Sequence, residues 1–174
     1  GASAAAARAG PRVPLSAVMG ARVALLCAND DYAGVPGLPD LKFAVADCRL
    51  YAQALRDIGF DHVEVRTNAQ CTKAGIEDAL EDIKQKFGGR QVAQFFFGYM
   101  GHGVHDAPSG RGWIAPHGYD PSRRGTTALR MDRLRDSAED IGATQQLWVL
   151  DCCHAGALMR GSRGGDDDAP VDRA

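Results

Sequence analysis

Apolar residues along the chain fall into short continuous runs and helical stripes that alternate with one another. Val23-Ala24-Leu25-Leu26-Cys27 is an unbroken apolar run closed by Ala28-Asn29-Asp30-Asp31. It predicts a strand buried on both faces, which requires helices on both sides of its sheet. After a Gly/Pro-rich stretch over 34–39, Phe43, Ala44, Leu50, Tyr51, Ala54, Leu55 and Ile58 recur at three- and four-residue spacing, which predicts an amphipathic helix stopped by Gly59. Residues 63–67 predict a second strand. Thr72 then caps a helix carrying Ile76, Ala79, Leu80, Ile83 and Phe87, ended by Gly88-Gly89. Residues 92–99, with Phe95-Phe96-Phe97 inside them, form the most hydrophobic predicted strand. A Gly/Pro/Arg-rich stretch over 101–128 reads as a long loop with one short strand at Trp113-Ile114. Residues 131–141 predict another helix and Leu147-Trp148-Val149-Leu150 a further buried strand. The order β-α-β-α-β-loop-α-β is that of an α/β domain with a mostly parallel sheet, helices on both faces and right-handed crossovers.

With 174 residues the chain has room for one domain. Residues 1–20 lack periodicity and read as a flexible arm. Residues 21–159 carry the domain, and 160–174, rich in Gly, Arg and Asp, have the composition of a linker. A formal net charge of −2 gives no broad positive field for nucleic acid or anionic lipid, so neither is expected as a partner. No apolar run approaches the roughly 18 residues needed to cross a bilayer. Five cysteines in a chain of this length read as reduced thiols of a cytoplasmic protein. The acid-free, Ala- and Arg-rich segment before Asp30 leaves organellar targeting as the alternative. An apolar strand at 147–150 has nothing after it in the chain to cover its free edge, which points to a domain that is part of a larger fold.

Reactive groups of open α/β sheets gather at the carboxyl ends of the strands. Two such ends carry chemistry: Tyr99-Met100-Gly101-His102-Gly103 and Asp151-Cys152-Cys153-His154-Ala155-Gly156. On neighbouring parallel strands these segments would bring a histidine and a cysteine across one cleft. A thiolate attacks a carbonyl, an imidazole exchanges its proton and protonates a leaving amine, and the glycines beside His102 free backbone N–H groups for an oxyanion. The alternative is that Gly-His-Gly is a turn and the cysteines are small buried residues. Zinc is not expected, because His102, His105, His117 and His154 with the two cysteines match no closed zinc spacing. The absence of the Gly-x-Gly-x-x-Gly order and of a Lys-Ser/Thr pair argues against nucleotide phosphates.

These two segments resemble the Y-S-G-H-G and D-x-C-H-S-G blocks of caspase-like cysteine peptidases, in their metacaspase form. The resemblance runs from Val23 to about Met159. It includes the first strand with its N-Y turn over 24–32, the following helix over 41–55, and Gly59-Phe60 before the second strand. It implies that Cys153 is the nucleophile, that His102 is the general acid/base and that Gly103 and Cys153 supply oxyanion N–H groups. Cys152 takes the variable position before the nucleophile. Adjacent thiols lack the spacing of thioredoxin-type redox motifs.

The resemblance also implies that Asp47 and Asp151 line the primary specificity pocket and hold a substrate Arg or Lys. A carboxylate on the apolar face of a helix, as Asp47 reads, needs such a partner. The alternatives are a charge at the start of a helix for Asp47 and a strand-end cap for Asp151. Met100 stands where the family has Ser, which would narrow the pocket or make it more apolar. The family's acid-rich calcium loop is replaced by a basic stretch that includes Arg111, Arg123 and Arg124. No cofactor is therefore expected and calcium activation is not. Arg160 and Arg163 would offer a self-cleavable bond. The expected activity is an endopeptidase cleaving after Arg or Lys in protein or peptide substrates, with a small, p10-like portion as part of the same protein or a separate chain. The alternative is a caspase-fold scaffold or regulatory module without catalysis.

Overall fold

The computed structural model describes residues 20–106 and 109–152. Four strands form one parallel sheet in the order β2-β1-β3-β7: β1 is Ala21–Ala28, β2 His62–Thr67, β3 Val92–Met100 and β7 Gln145–Asp151. Helices α1 (Ala44–Asp57) and α2 (Lys73–Phe87) link the first three strands, and α4 (Met131–Glu139) precedes β7.

The pleat sorts the central strands' side chains onto two faces. Val23, Leu25 and Cys27 of β1 join Phe95, Phe97 and Tyr99 of β3 beneath α2 and α4. Ala24, Leu26 and Ala28 join Phe96 and Met100 beneath α1. Both faces of β1 are thus buried, as its unbroken apolar run predicts. Thr72 caps α2, its Oγ1 accepting from the Gly75 N–H at 3.0 Å.

The structure departs from the expected pattern in two places. The buried side of α1 is Ala44, Val45, Cys48, Ala52 and Leu55. Phe43, Leu50 and Ile58, expected on that face, are 70%, 69% and 63% exposed, and Tyr51 is also exposed. Small residues set the face because α1 lies close against β1 and β3. The helix starts at Ala44 rather than Phe43, since Phe43 has no side chain able to cap and Asp30, at the end of β1, accepts from the Val45 N–H at 3.2 Å. The second departure is the expected loop over 101–128. It contains a three-stranded antiparallel sheet of β4 (His102–Asp106), β5 (Arg111–Ala115) and β6 (Leu129–Arg130), with the short helix α3 (Arg124–Thr127) between the last two. Arg124 holds it together: its guanidinium lies 5.4 Å from the Trp113 ring centre and donates to Asp106 Oδ1 at 2.8 Å. The polar, Gly-rich composition hid this sheet because its strands are short and largely half-exposed.

Among the described residues β7 pairs only with β3, so its outer edge is open. Leu147 on it is 58% exposed. Next to it, between α1 and β7, runs an apolar groove of about 700 Å³ lined by Tyr51, Ile58, Phe60, Phe96 and Leu147 among others.

The corrected face of α1 has a direct check by urea denaturation. Leu55→Ala removes a buried side chain and is expected to cost about 2–5 kcal/mol. Leu50→Ala, on the exposed side, is expected to stay within about 0.5 kcal/mol of the parent.

Candidate active site

The sheet register assembles the site. β3 and β7 run parallel with Met100 opposite Asp151, and the Gly101 N–H donates to the Asp151 carbonyl at 3.2 Å. The segment that carries His102 and the one that carries Asp151 and Cys152 therefore leave the sheet side by side. Asp47, in the first turn of α1, faces the same place. Lys42, Asp47, Gly101, His102, Asp151 and Cys152 are among the residues that line a cleft of about 570 Å³. Two carboxylates, an imidazole, a thiol and the Lys42 side chain share one depression.

His102 opens β4 and is half-buried. Its Nε2 lies 2.8 Å from the Pro39 carbonyl oxygen, which only accepts, so Nε2 donates there and in the neutral imidazole the lone pair is on Nδ1. The β1–α1 connection holds that carbonyl in place. The Asn29 N–H donates to the Met100 carbonyl at 3.1 Å, Leu41 N–H to the Asp30 carbonyl at 2.9 Å, and Tyr32 N–H to Asp40 Oδ1 at 2.7 Å. Sequence reasoning missed Pro39, and a backbone carbonyl leaves no signature in residue type.

The Tyr32 ring meets the His102 ring edge-on, with centres 4.5 Å apart. Its hydroxyl accepts from the His102 backbone N–H at 2.8 Å and donates to the Ala115 carbonyl at 2.9 Å. Tyr99 Oη lies 2.7 Å from the same carbonyl and 3.3 Å from Tyr32 Oη. Burial pushes both phenols up from their ordinary value, so both stay neutral donors at physiological pH.

Not every expected site residue is in the cleft. Met100 is buried under α1 with Ala28, Ala44 and Phe96, because the pleat turns residues 96 and 100 to that face. It packs against Ala44 and is not among the residues that line the cleft. Gly103 is buried on β4 beside His102. His117 sits elsewhere, 3.8 Å from Asp31 Oδ2 through Nδ1, with its backbone N–H donating to the Cys71 carbonyl. Asp106, expected on a loop, belongs to β4, and its carboxyl is held below the ordinary value by hydrogen bonds from Ser109 and then from Arg124. Among the described residues no three His, Cys, Asp or Glu side chains group to hold a metal ion. Cys153, His154, Arg160 and Arg163 lie outside the described residues, as do residues 1–19 of the expected arm and the linker over 160–174.

Comparison with known families bears on this arrangement. The family model of the caspase domain, a peptidase family, matches residues 21–173. The chain belongs to the caspase-domain family. No curated protein matches it. The crystal structure of protein GSU0716 from Geobacter sulfurreducens is similar with a TM-score of 0.56 and 20% identity, a likeness of fold. The match covers 80% of this chain and 53% of that one, so this caspase-domain chain spans about half the length of its structural neighbour. The parallel sheet flanked by helices is the caspase-like α/β fold expected from the order of elements, and the family is one of cysteine peptidases.

The thiols of this caspase domain differ in accessibility. Cys27, Cys48 and Cys71 are fully buried, whereas Cys152 is half-buried at the cleft. Burial pushes the Cys27 thiol up and raises that of Cys48 to about 12, so neither forms thiolate near neutrality. Iodoacetamide at pH 8 is expected to modify Cys152 in the native protein and to reach Cys27, Cys48 and Cys71 only after unfolding, read by peptide mass spectrometry. Labelling of Cys48 at a rate matching Cys152 would contradict the burial described.

Proposed function

We propose that the protein is a metacaspase-type cysteine endopeptidase that cleaves after Arg or Lys. The observation that carries this reading is the single cleft in which His102, Asp47, Asp151 and Cys152 meet. Cys153, the residue after Cys152, is the nucleophile. Its thiol gives its proton to His102 Nδ1, the nitrogen left without a proton by the Pro39 contact, and the thiolate adds to the scissile carbonyl. The oxyanion is held by backbone N–H groups of Gly103 and Cys153. Collapse expels the amine, which takes the proton from His102, and water attacking with His102 as base releases the acid from the thioester. Nothing in this sequence needs a metal or cofactor.

Asp47 and Asp151 set the specificity. Two carboxylates in one cleft attract a guanidinium or ammonium and repel an acidic side chain, so an Asp before the scissile bond is disfavoured. Substrates are proteins or peptides with basic residues, and basic bonds after Arg160 and Arg163 make the chain its own potential substrate. The open edge of β7 and the apolar groove beside it favour a further partner, a p10-like portion, in the same protein or as a separate chain, that continues the sheet and covers the groove.

The test is hydrolysis of fluorogenic peptides with Arg, Lys or Asp before the scissile bond, by the full-length natural protein. Turnover of the Arg and Lys peptides is expected, with none of the Asp peptide. It should fall at least about a thousandfold in Cys153→Ala and His102→Ala and persist in Cys152→Ala. Asp47→Asn and Asp151→Asn are each expected to raise KM for the Arg peptide about tenfold or more. Activity surviving Cys153→Ala, or a preference for Asp, would overturn the reading. Binding of a partner without turnover by any form would favour the non-catalytic scaffold.

A further inference from the structure

Tyr32 and Tyr99 converge on His102 in a way the motif does not require. His102 lies opposite Ala115 in the antiparallel pairing of β4 with β5. The Tyr32 hydroxyl bridges these partners, accepting from the His102 N–H at 2.8 Å and donating to the Ala115 carbonyl at 2.9 Å. Tyr99 Oη reaches the same carbonyl and also the His102 carbonyl, at 3.2 Å. The His102 N–H is thus tied to the Tyr32 hydroxyl, and the single proton of Tyr99 is shared between the Ala115 carbonyl at 2.7 Å and the more distant His102 carbonyl. The Tyr32 ring, edge-on to the imidazole, also bounds the ring's swing about χ1.

Gly101 belongs to the same device. A Cβ on it would lie 2.6 Å from Tyr99 Oη and 2.8 Å from Tyr32 Oη, so the paired hydroxyls occupy the space a side chain would need. The glycine before His102 is required by the tyrosines.

We propose that Tyr32, with Tyr99 as its companion, is a positioning residue for His102. Its hydroxyl anchors the His102 backbone between β3 and β5, and its ring holds the imidazole with Nε2 on the Pro39 carbonyl and Nδ1 toward the cleft. This rests on the reading of His102 as general acid/base. An acid/base displaced by about 1 Å loses rate at the chemical step and leaves the binding of substrate intact.

The experiment compares Tyr32→Phe, Gly101→Ala and the double variant with His102→Ala in the full-length natural protein, by steady-state kinetics and by NMR of protein labelled with ¹⁵N-histidine. Tyr32→Phe keeps the ring and removes the bridge. It is expected to lower kcat on the order of tenfold with KM within about twofold, and to lose the slowly exchanging His102 Nε2–H signal that the Pro39 contact protects. Gly101→Ala, which displaces the hydroxyls, is expected to lower kcat and to lose the same Nε2–H signal, and the double variant to be no worse in kcat than the poorer single one because both disrupt one contact. Unchanged kcat with a persisting signal in Tyr32→Phe, or a loss confined to KM, overturns the proposal. Should Tyr32→Phe fail to fold, Gly101→Ala decides by kcat and the Nε2–H signal, whose persistence with unchanged kcat overturns the proposal. Activity that survives His102→Ala, or a wild type with no turnover, sinks the acid/base reading alone, and the Nε2–H signal then still decides whether Tyr32 holds the ring.

Discussion

The parallel pairing of β3 with β7 is the constraint on which the site depends. Parallel strands in register end on the same edge of a sheet, and here that register sets Met100 against Asp151. The chain cannot place His102 and Cys152 in one cleft by any local preference, since some fifty residues separate them. Hydrogen bonds between the two strands do it, continued past the sheet by the Gly101 N–H on the Asp151 carbonyl. That pairing holds because β3 is apolar on both sides, with Phe95 and Phe97 packed under α2 and α4 and Phe96 under α1.

Around this edge the polar groups are placed by backbone as much as by side chains. The Pro39 carbonyl fixes the imidazole tautomer, and the turn that carries it is held by Asp30, Asp40 and the strand ends. Each buried tie is worth about 1 kcal/mol net, yet leaving one partner unsatisfied costs more, so the ties act mainly by excluding other arrangements. The cleft then gathers carboxylates from two separate elements, Asp47 on α1 and Asp151 on β7, against the single lysine Lys42, around a histidine whose surroundings are phenols and carbonyls.

The apolar surface left uncovered follows from the same layering. Among the described residues one face of the sheet carries α2 and α4, while the other carries α1 alone. Tyr51, Ile58 and Leu147 around the resulting groove have no packing partner among the described residues that removes them from water, and they adjoin the open edge of β7.

Much of this was legible in the residues. Continuous apolar runs mark β1 and β3, and Thr72 and the glycines bound α2, because burial on both faces and cap chemistry are local in sequence; the two motif blocks sit at the ends of β3 and β7, where that reading puts them. The buried face of α1 was not legible, since helical spacing fits both the large residues Phe43, Leu50 and Ile58 and the small ones that pack; only closeness to the sheet selects Ala44, Cys48 and Ala52. The antiparallel sheet of β4, β5 and β6 escaped for a related reason: half-exposed short strands show no strong period. Pro39 and Tyr32 at His102, and Met100 under α1, were decided by the tertiary structure alone, because a carbonyl's direction, a hydroxyl's reach and the side of a pleat are set by neighbours distant in the chain.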